Sequence, residues 1–413
     1  MKVLIITYFF PPLNSIASLR PYSWAKYFPD DGLDVTVLTP TKYKFSNDLD
    51  LNFDNFKLCE IPIPKTFKLV SFGKLINFLN ERFSLGIYYK VRFPDDTFRW
   101  VKPAFSWAKN YYWDVVISTG LPYTVHEIGY LLKKNNRCKV WVADWRDLFS
   151  ENPIFTGLPI LRYYEKSLEK RYNNTADLIT TVSEGLKKYW TNTTSKPVEV
   201  IYNGFFEEDF DSIGDTRVEN SKISILYAGT FYRSWLVSYF FEALKELRQE
   251  GVINPHNFEF IVFGAFNIEK YIEKYGLKEI FRFGGFVKRE KVLNSFTHSD
   301  FLFFPLSEER DLPNWKGILT GKLFEYLGVN LYVNKPIMVV GKTYDVEKVQ
   351  ILNNSGCCLF LDNKESIKNM LKKYIKERKV DMFPNKEFIS YFSRRNQAKI
   401  FLRKIMEIYG QKS

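Results

Sequence analysis

Short, continuous apolar runs recur along this sequence, and they constrain the fold more than any other feature. KVLIITYF, at residues 2–9, shows almost no alternation of polar and apolar residues. Such a run is typical of a strand that is buried on both faces, as in a parallel sheet covered by helices. Runs of similar length, such as WDVVIST and KVWVAD, follow at intervals that leave room for a helix between them. The chain is therefore predicted to be an α/β protein.

The strand–loop–helix pattern begins twice, which predicts two similar α/β domains. The first start is at residue 2, and KISILYAGTFYRSW begins a second series near residue 223. A chain of 413 residues is long enough for two or three domains. Continuity is weakest at residues 203–222, which are polar, acidic and rich in turn formers. We place the linker between the domains there.

The charge and the cysteine and histidine content limit which partners and sites are expected for this chain. The formal net charge is +12, which indicates either a lysine-rich solvated surface or a partner such as nucleic acid, an anionic membrane or a phosphorylated substrate. The four cysteines, at 59, 138, 357 and 358, include no CxxC pair, which favours a reducing cytosol over a disulfide framework. The three histidines are far apart, so a histidine-based metal site is not expected.

Two segments bear on membrane contact. The apolar start of the chain is broken by Pro11 and Pro12, so we interpret it as a first strand and not as a signal peptide. No apolar run approaches the ~20 residues that a membrane span requires. Residues 65–93 are aromatic and basic. They are predicted to form helical insertions, which are either packed helices with solvated lysines or a face for anionic lipid.

Ligands of parallel α/β sheets bind at the carboxyl ends of the strands, so the loops after strands hold the candidate residues. The loop after the first strand lacks the GxGxxG pattern of dinucleotide sites. It contains Asn14, Ser15 and Ser18, which lead into a helix whose free N–H groups suit an anion. Simple capping of that helix is the alternative interpretation of these residues.

The second half of the chain holds two candidate anion-binding loops. In YAGTFYRSW, Gly229 permits a sharp turn after a strand, and Arg233 is able to grip a diphosphate. In TGKLFEYL, Gly321 permits close backbone approach, and Lys322 lies in the first turn of a helix, where a cation is unfavourable unless an anion lies nearby. Glu325 is on the same helix face and suits a pair of vicinal hydroxyls; an ordinary ion pair with Lys322 is the alternative.

Charged residues also follow strands of the first half. Asp144, Arg146 and Asp147 crowd the end of an apolar strand in VADWRDLF. His126 begins a helix after the neighbouring strand. They are candidate catalytic residues, although an Arg–Asp pair that closes a loop would be a structural explanation.

Several of these segments occur together in an order that resembles a known family. TYFFPPLNSIASLRPYSWAKYF, VADWRDLF, TTVSEGL, VIYNGF, YAGTFY, GKLFEYLGVNLYVNKPIMVVG and FSRRNQAKIFLRKI are similar in order and spacing to GT-B glycosyltransferases of the retaining GT4 family. The resemblance implies two Rossmann-like domains facing a cleft. Their expected bounds are 1–205 for the acceptor domain and 206–388 for the donor domain, with a helix at 389–413 that crosses back to the first domain.

The resemblance also implies roles for residues at matching positions. Glu325 matches the second glutamate of the family's E-x7-E motif, which contacts the donor ribose, and Gly321 and Lys322 match the turn that meets the diphosphate. Arg233 resembles the basic residue after the first strand of the donor domain. Gly285, Phe286 and Val287 resemble the loop along the base. His126 and the group from Asp144 to Asp147 lie where relatives place acceptor-side or catalytic groups.

Two features depart from the family pattern or mimic another. Gly317 stands where the first glutamate of E-x7-E would fall. DLD at 48–50 and DFD at 209–211 match the DxD metal pattern of the other glycosyltransferase fold, but both lie in polar loops, and we interpret them as chance. We therefore expect no metal and no cofactor beyond the nucleoside diphosphate sugar, which acts as co-substrate.

The function implied by the resemblance is transfer of a sugar, with retention, from a nucleoside diphosphate to a lipid-linked or saccharide acceptor. A role in bacterial surface polysaccharide or glycolipid synthesis follows, in the cytoplasm and with peripheral contact of the 65–93 region with the inner face of the cell membrane. Two alternatives stay open: a nucleotide-sugar epimerase of the same architecture, and a basic nucleic-acid-binding protein. No nucleic-acid module is evident, so nucleic acid is not expected as a partner.

Overall fold

The computed structural model describes residues 1–41, 49, 51–64, 97–152, 159–211, 221–229, 238–264, 269–306, 317–343 and 345–412. The chain forms two compact units. The first comprises Met1–Tyr202 and Gln397–Ser413 with the short segment Asn314–Ile318, and the second comprises Asn203–Pro313 and Leu319–Asn396. Each unit is built on one parallel sheet, which confirms the predicted α/β class with two Rossmann-like domains.

The first unit has a seven-stranded parallel sheet in the order β3-β2-β1-β4-β5-β6-β7. Neighbouring strands are in register over short apolar segments, with Val3 opposite Val35 on one side and Val115 on the other. Its strands are β1 (Lys2–Thr7), β2 (Asp34–Pro40), β3 (Lys57–Ile61), β4 (Trp113–Gly120), β5 (Cys138–Trp145), β6 (Leu178–Thr181) and β7 (Val198–Val200).

Helices connect these strands, and the last helix of the chain joins the same unit. Their bounds are α1 (Ile16–Tyr27), α2 (Val101–Ala108), α3 (Val125–Lys134), α4 (Pro159–Thr175) and α5 (Glu184–Thr191). From Gln397 onward, the terminal helix clusters with this unit, where Phe401 packs 4.8 Å from the ring of Trp24 and 5.9 Å from that of Phe28.

The second unit has a six-stranded parallel sheet in the order β10-β9-β8-β11-β12-β13. Its strands are β8 (Ile223–Ala228), β9 (Phe258–Phe263), β10 (Phe281–Gly285), β11 (Phe301–Pro305), β12 (Ile337–Val340) and β13 (Cys358–Leu361). In both sheets the chain begins near the middle, builds outward to one side and then crosses to the other. The carboxyl ends of β1 and β4, and of β8 and β11, therefore lie at topological switch points, where such sheets bind ligands.

The remaining helices follow the strands of the second sheet. They are α6 (Ser238–Gln249), α7 (Glu269–Lys274), α8 (Arg289–His298), α9 (Gly321–Val329), α10 (Val346–Asn354), α11 (Lys364–Glu377), α12 (Lys386–Ser390) and α13 (Arg394–Gly410). Among the described residues, no helix is both long enough and apolar enough to cross a bilayer.

Continuous apolar sequence explains why the central strands are buried, and its absence explains why the edge strand is not. Within β1, Val3 to Thr7 are all buried, and all six residues of β8 are buried. By contrast β3, with the sequence KLCEI, has no buried residue. It lies at the edge of the first sheet. An edge strand of this kind lacks the apolar run that predicts a buried strand, so sequence patterning did not identify it.

The two cores differ in their aromatic content. In the first unit, tryptophans such as Trp100, Trp141 and Trp190 are fully buried in one cluster. Phenylalanines dominate the second cluster, where Phe240, Phe260 and Phe303 pack with ring centroids 4.7–5.6 Å apart. Aromatic residues, which make up 18% of the chain, thus contribute to both cores.

A buried ion pair joins the elements of the first unit. Arg20 of α1 donates from Nη2 and Nε to the two carboxylate oxygens of Asp144 in β5, at 2.7 and 3.1 Å. Its Nη1 donates to the carbonyl of Ile201, after β7, at 2.6 Å. The hydroxyls of Thr119 in β4 and Thr180 in β6 donate to the same carboxylate at 2.6 and 2.7 Å. This network ties four strand ends to one helix.

Removing one member of this pair should be costly, because Asp144 is 0% exposed and would keep an uncompensated charge. We expect Arg20→Ala to lower the free energy of unfolding of the first unit by about 3–5 kcal/mol. Urea unfolding followed by tryptophan fluorescence measures this, since seven of the nine tryptophans lie within residues 1–202. Lys57→Ala is the matched control, because Lys57 and Asp34 form an exposed pair worth less than about 1 kcal/mol. An equally small loss in both variants would contradict this account.

Candidate functional site

The carboxyl edge of the second sheet is shaped by glycines. Gly229 directly follows β8 with φ +144°, and Gly264 follows β9 with φ +123°. Both values disfavour residues with side chains. The two backbones also approach closely, since a Cβ on Gly264 would lie 2.7 Å from the carbonyl oxygen of Gly229. At this switch point the main chain is therefore open to close approach by a ligand.

Lys322 lies against this glycine edge. Its Nζ donates to the hydroxyl of Tyr227, the penultimate residue of β8, at 2.8 Å and lies 4.2 Å from the centre of that ring. A Cβ on Gly229 would collide with the same Nζ. The structure thus brings together Gly229 and Lys322, which the sequence analysis singled out from segments about ninety residues apart.

The ammonium of Lys322 is held without a carboxylate within ion-pair distance among the described residues. Burial lowers the pKa of Lys322 to about 8, and the charge of Glu325 opposes that shift. Lys322 stands in the first turn of α9, which contains no acidic residue, and the N-cap residue Thr320 makes no side-chain capping bond. A helix start without a side-chain cap, next to a cation, is chemically suited to an anion.

Glu325 does not form the ordinary ion pair with Lys322 that the spacing allowed. Its Oε1 instead accepts a hydrogen bond from Nη1 of Arg289 at 2.5 Å. The other arm of Arg289, Nη2, donates to Asp209 at 2.6 Å. Asp211, the second carboxylate of the DFD segment, accepts from the Tyr332 hydroxyl at 3.1 Å. The carboxylates of this DxD-like segment are therefore engaged with protein side chains.

The structure describes some of the remaining residues expected at the donor site but not Arg233. Gly285 ends β10, and Phe286 beyond it is 75% exposed beside the half-buried Val287. Gly321 begins α9. Arg233 lies outside the described residues, as do Asp48, Asp50 and the basic 65–93 region.

Gly317 occupies a position where a side chain does not fit. Its φ is +89°, and a Cβ there would lie 2.6 Å from Oγ of Ser183 and 2.8 Å from the backbone nitrogen of Leu186. Gly317 clusters with the first unit. The local backbone of this chain therefore excludes the glutamate that the family pattern places there.

The carboxyl edge of the first sheet collects the other candidate residues. Burial would raise the pKa of Asp144, but the Arg20 guanidinium and the threonine hydroxyls hold it below its ordinary value. Arg146 donates from Nε to the carbonyl of Gly120 at 2.6 Å and from Nη1 to that of Ala17 at 2.8 Å. It thereby links the first turn of α1 to the end of β4. Asp147 is half-buried, and burial raises its pKa against the opposing charge of Arg146.

His126 lies in the core beneath this edge. It is 0% exposed and packs 4.0 Å from the ring of Trp145. Its Nδ1 shares a hydrogen bond of 2.9 Å with the Ser118 hydroxyl, while its Nε2 is buried and lacks a hydrogen-bond partner among the described residues. Burial lowers its pKa to about 3, although Asp144 opposes the shift. The ring is therefore neutral at physiological pH.

Asn14, Ser15 and Ser18 lie around the start of α1, with Ser18 inside the helix. Ser15 is the N-cap of α1 and accepts from the backbone nitrogen of Ala17 at 3.2 Å. Asn14 is exposed, and the hydroxyl of Ser18 is buried without a hydrogen-bond partner among the described residues. Capping therefore accounts for Ser15 alone.

Sequence reasoning missed three residues that organise these edges: Arg20, Tyr227 and Arg289. Each lies inside a segment that pattern analysis assigned to a helix or strand, and no local spacing links it to its partner. Arg20 is separated from Asp144 by 124 positions and Lys322 from Tyr227 by 95. Tyr227 near the end of β8 and Arg289 shortly after β10 carried the signal of a polar residue close to a strand end, whereas Arg20, inside α1, left none.

Comparison with known proteins identifies the fold. No family model and no curated protein matches the chain. Among solved structures, it is similar to sucrose-phosphate synthase from Thermosynechococcus elongatus (11% identity, 100% of both chains, TM-score 0.66). It is similar to α,α-trehalose 6-phosphate synthase from Burkholderia multivorans (6% identity, 100% of both chains, TM-score 0.61) and to a lipopolysaccharide outer core galactosyltransferase (12% identity, 98% and 99% covered, TM-score 0.58). The chain therefore has the GT-B fold of glycosyltransferases.

Proposed function

We propose that this protein is a glycosyltransferase that takes its sugar from a nucleoside diphosphate bound at the carboxyl edge of the second sheet. The observation that carries the proposal is Lys322, a cation without a carboxylate partner among the described residues, at an uncapped helix start beside Gly229. A diphosphate would supply the missing counter-charge and accept from the free N–H groups. The GT-B fold and the names of proteins with similar structures, which refer to sugar transfer or sugar phosphates, support this assignment.

The chemistry follows from where charge develops. When the bond between sugar and diphosphate breaks, negative charge grows on the departing diphosphate. Lys322 and the helix N–H groups would stabilise that charge from positions that are already fixed, which is often the largest contribution to catalysis. Glu325 would accept from the ribose hydroxyls, and the segment from Gly285 to Val287 would lie along the base. We propose that transfer retains the anomeric configuration.

The four candidate residues of the first unit differ in whether their polar atoms are free to contact a substrate. Asp144 accepts hydrogen bonds from Arg20 and two threonines, and Arg146 donates to backbone carbonyls, so both are already engaged within the protein. They would hold the edge in shape. Within the described ranges, Asp147, half-buried and with a raised pKa, accepts no hydrogen bond, and Nε2 of the neutral His126 lacks a partner. We infer that Asp147, after β5, faces the acceptor. We also infer that Asn14 and Ser18, at the start of α1, belong to the acceptor side of the first unit.

We further propose a lipid-linked or saccharide acceptor at an anionic membrane surface. One solved structure of similar fold is named for transfer onto the lipopolysaccharide outer core. The 65–93 region lies outside the described residues, but the segment that follows it continues its character. Between residues 98 and 112 six of the eight exposed residues are basic or aromatic: Phe98, Arg99, Lys102, Lys109, Tyr111 and Tyr112. Such a surface suits the inner face of the cell membrane.

A screen of nucleoside diphosphate sugars by thermal shift tests the proposed function. A ligand at 100 times its dissociation constant should add about 2.7 kcal/mol of stability. The donor that binds is then incubated with and without membrane lipid extract. Transfer to the extract supports the glycosyltransferase, whereas an epimerised sugar from donor alone would support the alternative enzyme class. Salt-sensitive binding of oligonucleotides without any nucleotide-sugar binding would overturn both.

Lys322→Ala should weaken binding of the nucleoside diphosphate about 10- to 100-fold, because a hydrogen bond to a charged group contributes about 1.5–3 kcal/mol. The probe is whichever of UDP, GDP, ADP and CDP gives the largest thermal shift, and calorimetry measures its dissociation constant. Lys278→Ala is the matched control, since Lys278 is an exposed lysine before the amino end of β10. Equal affinities of the two variants would show that Lys322 does not meet the ligand.

Affinity for the same nucleoside diphosphate should fall as pH rises above about 8. The free Lys322 then loses its proton, and binding must recover it, so the dissociation constant should rise by up to tenfold per pH unit between pH 8 and pH 10. Lys322→Arg should abolish most of this dependence, because a guanidinium stays charged throughout. The measurement is calorimetric titration at several pH values. A slope that persists in the arginine variant would assign the effect to another group.

Turnover should not depend on a divalent cation, since the proposal gives charge stabilisation to Lys322 and backbone N–H groups. Release of nucleoside diphosphate from the accepted donor, measured with and without excess EDTA, checks this. Unchanged rates are expected. Loss of activity with EDTA and its recovery with added magnesium or manganese would contradict metal-independent transfer.

A further inference from the structure

Arg289, the first residue of α8, lies between two carboxylates of the second unit. Its Nη1 donates to Oε1 of Glu325 at 2.5 Å, and its Nη2 donates to Oδ2 of Asp209 at 2.6 Å. The Arg289 side chain is 20% exposed, that of Asp209 19% and that of Glu325 10%. Three segments distant in sequence thus meet at one guanidinium, which spreads its two arms over separate partners.

Charge keeps this cluster together. Burial alone would lower the pKa of Arg289, but Glu325 and Asp209 raise it above its ordinary value. The planar guanidinium offers donors in a rigid fork, so its two bonds fix direction as well as distance. An ion pair held on both sides in this way restricts the rotamers of Glu325 far more than a flexible lysine would.

The two oxygens of Glu325 are used differently. Oε1 accepts from Arg289, whereas Oε2 accepts no hydrogen bond from the described residues and is not among the buried atoms without a partner. One oxygen is clamped and the other is open. A carboxylate in this state presents an acceptor in a fixed orientation to a hydroxyl donor.

We propose that Arg289 is a positioning residue, which aims Glu325 at the ribose of the bound nucleotide and so makes the site prefer ribonucleotides over 2′-deoxyribonucleotides. The inference rests on the proposed function and deepens it. The open Oε2 of Glu325 would accept a hydrogen bond from the ribose 2′-hydroxyl, and a 2′-deoxyribose lacks that donor. Discrimination then depends on the unpaired polar atom left behind in the deoxyribonucleotide complex.

The test compares two ligands on each variant. Calorimetry gives the dissociation constants of UDP and dUDP, GDP and dGDP, and ADP and dADP for the wild type. For the base that binds, we expect the ribonucleotide to bind roughly 10- to 100-fold more tightly. In Arg289→Ala the ratio should fall toward one, chiefly through loss of ribonucleotide affinity. Arg289→Lys should restore part of the ratio, since it keeps a charge but not the fork.

Two controls distinguish a positioning role of Arg289 from a purely structural one. Arg282→Ala, which removes an exposed arginine on β10, should keep the wild-type ratio. In a Glu325→Gln background, Arg289→Ala should change the ratio no further, because the two residues act through one contact. If Arg289→Ala does not fold, as circular dichroism would show, Arg289→Lys and the Glu325→Gln pair still measure the ratio.

The outcomes distinguish the two proposals. Equal weakening of ribo- and deoxyribonucleotide in Arg289→Ala would mean that Arg289 is only structural, and the inference would be overturned. A wild type that binds nucleoside diphosphates without preferring ribose would also overturn it, while leaving the proposed function intact. Failure of every nucleoside diphosphate to bind the wild type would overturn the proposed function and the inference with it.

Discussion

The candidate site of the second unit depends on one constraint, which is the partial burial of the Lys322 ammonium without a carboxylate close enough to pair with it among the described residues. Desolvation disfavours the charged form of Lys322, and the aromatic face and hydroxyl of Tyr227 compensate only in part. Gly229 has no side chain, and that absence makes room for the ammonium. A bound anion would relieve the same cost. The geometry of the edge therefore favours an anionic ligand over a neutral one.

The first unit solves a similar problem in the opposite way. Its buried carboxylate, Asp144, is fully paired with Arg20 and two threonines, and its buried arginine, Arg146, is satisfied by backbone carbonyls. These charges are consumed in holding the strand ends and loops together. Asp144 and Arg146 are thus satisfied within the first unit, whereas Lys322 of the second unit has no carboxylate partner in the described part of the chain. This difference is why we assign the phosphate-bearing substrate to the second unit.

The fold could be predicted from sequence because most strands are continuous apolar runs buried on both faces. The runs WDVVIST and KVWVAD appear as β4 and β5 within a residue of their predicted ends, whereas the edge strand β3 left no such pattern. The proximity of Lys322 to Gly229 was expected, because ligands of parallel α/β sheets bind at the carboxyl ends of the strands. Its contact with Tyr227, and the link from Glu325 through Arg289 to Asp209, did not, because long-range side-chain pairing leaves no local periodicity.

A crystal structure of the protein with its tightest-binding nucleoside diphosphate tests the central claim most directly. The account predicts a diphosphate within hydrogen-bond distance of Lys322 Nζ and of backbone N–H groups at the start of α9, beside Gly229. A nucleotide bound away from the carboxyl edge of the second sheet, or one whose diphosphate does not contact Lys322, would contradict it.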